Sequence, residues 1–174
     1  WIYLLPLAGL VARTSYALVG IDRTSARTKF AHLSCARFTR GTHITMSSGL
    51  QTPIEQLSVG DRVLTRNDGL QEIRWIGQST VRAGGEFAPI RIKAGTLNNN
   101  HDLIVSPDHR LFIYQRQDRL GAGSSELLNK ARHLLKRESV TVQDGGFVEY
   151  FELLFDSHQI IYAEGIAAES MLID

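Results

Sequence analysis

Cysteine is almost absent from this 174-residue chain, in which Cys35 is the single thiol. An intramolecular disulfide and a cysteine-rich zinc site are therefore excluded. A lone thiol leaves the redox compartment open and admits two readings: a small buried hydrophobe or a nucleophile. Charge of one sign is also lacking. The 19 Lys and Arg against 18 Asp and Glu leave a net charge of +1, which creates no field for a phosphate backbone, so nucleic acid is not an expected partner. The densest basic stretch, Lys130, Arg132, His133, Lys136 and Arg137, reads as a solvated helix face rather than a phosphate-binding patch. Long apolar runs are missing too. Residues 1–12 are nearly all apolar, but Pro6 and Gly9 interrupt them, and a membrane span needs about 20 such residues. No basic segment precedes this run and no clear small-x-small site follows it, as a complete signal peptide would require. The chain opens on Trp1 rather than Met and is expected to be a fragment. The run reads equally as the tail of a signal, the edge of an upstream segment or a piece of core. Neither a glycine-rich phosphate loop, a His-Glu-x-x-His pair, a Gly-x-Ser-x-Gly elbow nor a solenoid repeat occurs.

What is present is an ordinary globular composition, 43% hydrophobic and 21% charged, enough for one domain with a real core. Residues 13–34 read as a connecting segment with room for one short helix. From Phe38 onward the pattern is that of strands and turns. Thr42, Ile44 and Met46 alternate onto one face. Pro53 restricts residues 52–54 to an edge or a short strand, because proline has no amide to donate. Residues 62–66 form a strand, Asn67-Asp68-Gly69 a hairpin turn, and residues 70–82 one long strand with Ile73, Trp75 and Val81 on a common face. Further strands are expected at 89–93, 103–105, 111–114, 140–143, 147–155, 160–163 and 166–172. One amphipathic helix is expected at 125–137, where Leu127, Leu128, Ala131, Leu134 and Leu135 recur at helical spacing. Short strands at close spacing predict a mainly β, compact fold of hairpins with that one helix.

Three segments carry a resemblance. The first joins Phe38-Thr39-Arg40-Gly41-Thr42 to residues 52–65, which read TPIEQLSVGDRVLT. The second is Val105-Ser106-Pro107-Asp108-His109-Arg110. The third runs from Tyr150 to Ile166 and contains Leu154-Phe155-Asp156-Ser157-His158 and Ala163-Glu164-Gly165-Ile166. In this order they resemble the opening, Thr-x-x-His and closing blocks of the Hint (hedgehog/intein) self-processing module. Ser106 stands where the second block usually has Thr. The continuation into Glu169-Ser170 is similar to the bacterial stand-alone Hint subgroup. The resemblance divides the chain into an N-terminal apolar and connecting segment, 1–36, and a Hint-like domain, 37–174.

The resemblance implies self-catalysed cleavage at the domain's N-terminal edge. A Cys, Ser or Thr at the first position attacks the carbonyl just before it, giving a thioester or ester that a second nucleophile resolves. An amide is a poor electrophile, so the reaction needs a held and activated nucleophile, donors for the oxyanion, and a proton for the leaving amine. His109 fits the proton donor, with Ser106 as the hydroxyl that orients the scissile amide. Asp108 reads as a turn residue. His158 fits either assistance to the second step or simple packing. The nucleophile position holds Arg37, which stays protonated and cannot attack. Cys35 is the candidate displaced nucleophile, about 6.6 Å away if the chain is extended. No terminal Asn is present where splicing members have one, and no sterol-recognition region is marked, so neither splicing nor sterol transfer is expected.

The leading expectation is thus an autoprocessing module impaired at Arg37, with its own upstream polypeptide as substrate, no turnover activity, no cofactor and no metal, acting as a monomer without a membrane span. Secretion as part of a larger bacterial protein is the location the resemblance suggests. The alternative is a non-catalytic β scaffold or interaction domain at the C-terminus of a secreted protein. A hydrolase built on Ser106 and His109 is disfavoured, because no glycine-flanked elbow presents Ser106.

Overall fold

A computed structural model of the chain describes residues 11–16, 36–114, 126–136 and 138–171. The helix allowed within residues 13–34 and nearly all of the apolar run at 1–12 lie outside the described residues, as does Cys35. Within the described residues, strands carry the architecture. They are β1 (Phe38–Thr39), β2 (His43–Thr45), β3 (Gln51–Pro53), β4 (Arg62–Leu64), β5 (Leu70–Glu72), β6 (Trp75–Arg82), β7 (Ile90–Ile92), β8 (Leu103–Val105), β9 (Arg110–Tyr114), β10 (Glu126–Lys130), β11 (Val140–Val142), β12 (Phe147–Leu154), β13 (Ile160–Ala163) and β14 (Ile166–Glu169).

They form two six-stranded sheets, ordered β11-β7-β8-β1-β12-β6 and β10-β9-β14-β13-β2-β3, and a β4-β5 ribbon. The pairings are antiparallel, as short hairpin connections require. Phe38 locks the middle of the first sheet, opposite Phe151 on one side and Val105 on the other. Its side chain is fully buried, a burial that contributes about 1.5–3 kcal/mol. The core continues through Ile44, Val63, Ile90, Leu103, Leu111 and Ile161. Pro53 ends β3 at the outer edge of the second sheet, the one place where its missing donor costs no ladder bond.

Two expectations are corrected. The long strand at 70–82 is broken at Ile73-Arg74 into β5 and β6, which belong to different sheets. Ile73 is held by both backbone groups, accepting from Gly60 and donating to Asp61. The break undoes the common face: Ile73 is buried while Trp75 is 44% exposed. The amphipathic helix at 125–137 does not form. Glu126–Lys130 is a strand paired with β9, from Glu126 opposite Tyr114 to Lys130 opposite Arg110, and Ala131–Leu134 is a short 3-10 turn. Among the described side chains the apolar stripe is split: Leu128 and Leu135 are exposed, whereas Ala131 is fully buried and Leu134 packs against the core. Apolar residues at helical spacing describe a helix only if nothing offers them a better partner. Here the edge of β9 does.

Candidate functional site

The chain changes sheets between β8 and β9, and the site lies at that crossing. Val105 ends a strand of the first sheet and Arg110 begins one of the second. Ser106-Pro107-Asp108-His109 makes the turn between them, closed by the His109 amide donating to the Ser106 carbonyl at 3.1 Å. The misread segment holds this turn in place. Ala131 donates its amide to the His109 carbonyl at 2.8 Å, and Arg132 donates its own to the Pro107 carbonyl at 2.9 Å. The Asp108 carboxylate meets Lys130 Nζ at 3.0 Å and Arg132 Nη2 at 2.5 Å. Two of the cations read as a solvated helix face are thus the ionic partners of the turn. Asp108 is a turn residue, as expected.

The turn closes on the residue just before β1. Arg37 donates its amide to Ser106 Oγ over a long 3.4 Å, and its carbonyl accepts the Ser106 amide at 3.0 Å. His109 Nδ1 stands 3.0 Å from the same carbonyl, and Nε2 stands 3.0 Å from the carbonyl of Glu169, the last residue of β14. His109 is fully buried, edge-on to Phe38 at 4.5 Å between ring centroids. Burial lowers its pKa from 6.5 to about 4, although both carbonyls pull the other way by favouring the charged ring. A neutral imidazole has one N–H and can donate to only one of its two carbonyls. The ring is therefore tensioned between a protonated form that satisfies both and an environment that disfavours charge.

The Arg37 side chain leaves this backbone cradle. Its Nε donates to Glu152 Oε1 at 2.7 Å, with the two side chains only 4% and 7% exposed. Its guanidinium lies 5.8 Å from the Tyr150 ring and 6.0 Å from Phe87. Burial raises the Tyr150 phenol pKa, with the nearby Arg37 charge opposing, and its hydroxyl donates to the Phe87 carbonyl at 3.0 Å.

His158 lies on the β12–β13 crossing, half-buried, with Nε2 3.8 Å from Glu169 Oε1. Arg110 Nη1 reaches the same oxygen at 3.6 Å. Ser106 and His109 thus meet at the Arg37 peptide, His158 is linked to them among the described residues through Glu169, and Cys35 falls outside the described residues. Sequence reasoning missed the Arg37–Glu152 pair and the role of the Glu169 carbonyl. A buried arginine and glutamate 115 residues apart leave no local signal, and a backbone acceptor leaves none at all. Among the described residues one group of metal-type ligands stands apart from this centre: His43, His101 and Glu164.

The family model described as the Hint domain matches residues 35–174. Among solved structures, the fold is similar to a DnaB intein from Synechocystis sp. PCC 6803 at 13% identity, with 77% of this chain and 97% of that one covered and a TM-score of 0.52. It is also similar to a bacterial intein-like domain from Clostridium thermocellum at 13% identity, with 78% and 98% covered and a TM-score of 0.53. At such identities the likeness is one of fold. No curated protein sequence matches the chain.

Proposed function

The chain belongs to the Hint family, and from that premise we propose that residues 37–174 are an autoprocessing module whose first acyl shift is impaired at Arg37. The observation that carries this reading is the backbone cradle: Ser106 and His109 both engage the peptide groups of Arg37. Residue 37 therefore stands where the attacking side chain belongs. The bond to be opened is Ala36–Arg37, and Ser106 Oγ already accepts its N–H. In the family's reaction the side chain of residue 37 bonds to the carbonyl carbon of residue 36, the C–N bond breaks, and the released amine takes a proton. A guanidinium has no lone pair to attack with, and this one is engaged by Glu152.

Cys35 is a poor substitute. Its thiol would attack the Ser34 carbonyl by the same ring closure, opening a bond about 6.6 Å from the one the cradle addresses. His109 is assigned the proton delivered to the departing amine, and His158 the second step beside Glu169. The substrate on this reading is the chain's own upstream polypeptide, which includes the segment 1–36. The module works as a monomer and needs no nucleic acid.

The test is a reporter fused upstream of the chain. Wild type should stay intact with and without added thiol. Arg37→Cys combined with Glu152→Gln, which avoids stranding a buried carboxylate, should cleave between residues 36 and 37 on thiol addition, and His109→Ala on that background should abolish it. Cleavage of wild type at Cys35, or a folded double variant that stays intact, overturns the reading. A second reading, a non-catalytic β scaffold, is favoured by the same buried ion pair, because Arg37 is packed as a structural side chain. It predicts that no substitution at residue 37 produces cleavage.

A further inference from the structure

Away from the His109 cradle, we propose that His43, His101 and Glu164 bind a divalent transition-metal ion of the zinc type. The three come from distant parts of the chain: β2, the β7–β8 loop and the β13–β14 turn. Their donor atoms all lie within 4.8 Å of one another. His43 Nδ1 is 2.8 Å from Glu164 Oε1, and His101 Nδ1 is 2.8 Å from Glu164 Oε2. The two rings sit 5.2 Å apart, tilted by 35°.

The carboxylate is unusual in its place. Glu164 is the first turn residue of the β13–β14 hairpin, with φ of 50°, followed by Gly165 at 81°. Turns of this kind favour Asn or Gly at that position, because a side chain strains the left-handed backbone. A glutamate there needs a reason, and its side chain is only 1% exposed. A buried carboxylate requires a compensating charge or a full set of donors. Among the described residues its ion-pair partners are these two histidines, with the His43 amide donating at 2.7 Å. A divalent ion held by the same three side chains would supply a compensating charge directly.

The donors are held by backbone. Glu164 donates its amide to the His43 carbonyl at 2.9 Å and accepts that of Asn100 at 3.0 Å, and Ala163 pairs with Ile44. Two imidazoles and one carboxylate are a recognised zinc set that leaves a position for water. Calcium and magnesium prefer all-oxygen shells. Bonds of 2.0–2.2 Å place tetrahedral ligands roughly 3.3 Å apart, so the 2.8 Å contacts, which go to different carboxylate oxygens, need to open slightly while the widest donor pair, within 4.8 Å, needs to close. The side chains of His43 and His101 are 33% and 65% exposed, which gives an entry path and freedom to adjust. An imidazole binds such an ion through an unprotonated nitrogen, so with Nδ1 as the ligand the ring proton sits on Nε2.

The ion would tie β2, the β7–β8 loop and the β13–β14 hairpin together, so binding should stabilise the fold by mass action. Isothermal titration of the full chain with zinc chloride is expected to show one site, with an accompanying rise in melting temperature that magnesium does not reproduce. His101→Gln, at an exposed position, should melt like wild type without metal, yet bind zinc at least ten times more weakly and lose the zinc-dependent rise. His133→Gln should bind as wild type. Substitution of cobalt for zinc reads the ligand field directly and should give the spectrum of a nitrogen- and oxygen-ligated site without a thiolate band. Failure of wild type to bind, binding indifferent to His101→Gln, or binding abolished by Cys35→Ser with a thiolate band would each overturn the proposal.

Discussion

Replacing Arg37 by Met leaves the Glu152 carboxylate, 7% exposed at its side chain, inside the first sheet without its guanidinium. Glu152 sits in β12 opposite Gly77 of β6, so neighbouring backbone is engaged in the ladder and water has little access. Breaking a buried pair by removing one partner costs about 3–5 kcal/mol, because the other charge is left uncompensated. Removing both, as Arg37→Met with Glu152→Leu, returns the site to an apolar contact with Phe87 and Tyr150 and should cost little, or even stabilise by about 1–4 kcal/mol. The cycle should therefore show a large coupling: each single variant is expected to be strongly destabilised and the double variant to regain most of the loss.

For a chain of this size about 1 kcal/mol corresponds to 2–4 °C in Tm, so the single variants should melt on the order of 10 °C below wild type. Urea unfolding at neutral pH measures it, provided the m-values stay equal. Single variants losing less than about 1 kcal/mol, or a double variant no better than Arg37→Met, would refute the idea that Arg37 is built into the core through Glu152. The outcome bears on the proposed function, since any substitution of Arg37 must first deal with the Glu152 carboxylate it strands.

Acidification gives a second test. His109 is held at about 4 in the fold against 6.5 when free, so between those values the unfolded chain binds more protons. Stability is then fully present above pH 6.5 and lost as pH falls toward 4, by about 3 kcal/mol at 1.36 kcal/mol per unit. His109→Gln should flatten that part of the urea-midpoint profile, and an unchanged slope would contradict it. Ala131→Leu separates the observed turn from the helix suggested by sequence. In a helix it would extend the apolar stripe, but Ala131 is fully buried behind the His109 carbonyl. Overpacking there should cost about 1–3 kcal/mol, and a neutral or stabilising effect would argue for the helix.

Much of the β framework was legible because its signals are local. Alternation and turn residues located β13 at its observed bounds, Asn67-Asp68-Gly69 located the β4–β5 turn, and Pro53 marked an edge. The ordered blocks pointed to the Ser106–His109 turn, and the geometry brings that turn to Arg37. The misreadings share one cause. The break at Ile73-Arg74 exists because the chain leaves one sheet for another. The segment from Glu126 to Leu134 is strand and 3-10 turn because β9 and the Ser106–His109 turn claim its backbone. Neither competitor is visible within a short window of sequence.

By itself the sequence determined the mainly β character, the family and the arginine at residue 37. Each depends on residue type or on period along the chain. Only the tertiary structure decided what stands around those residues: the two carbonyls on His109, the carboxylate on Arg37, and the meeting of His43 with Glu164, 121 positions apart, and of His101 with the same group across 63. These are contacts between strands, turns and loops far apart along the chain. Their energies depend on burial and distance, which sequence spacing does not encode.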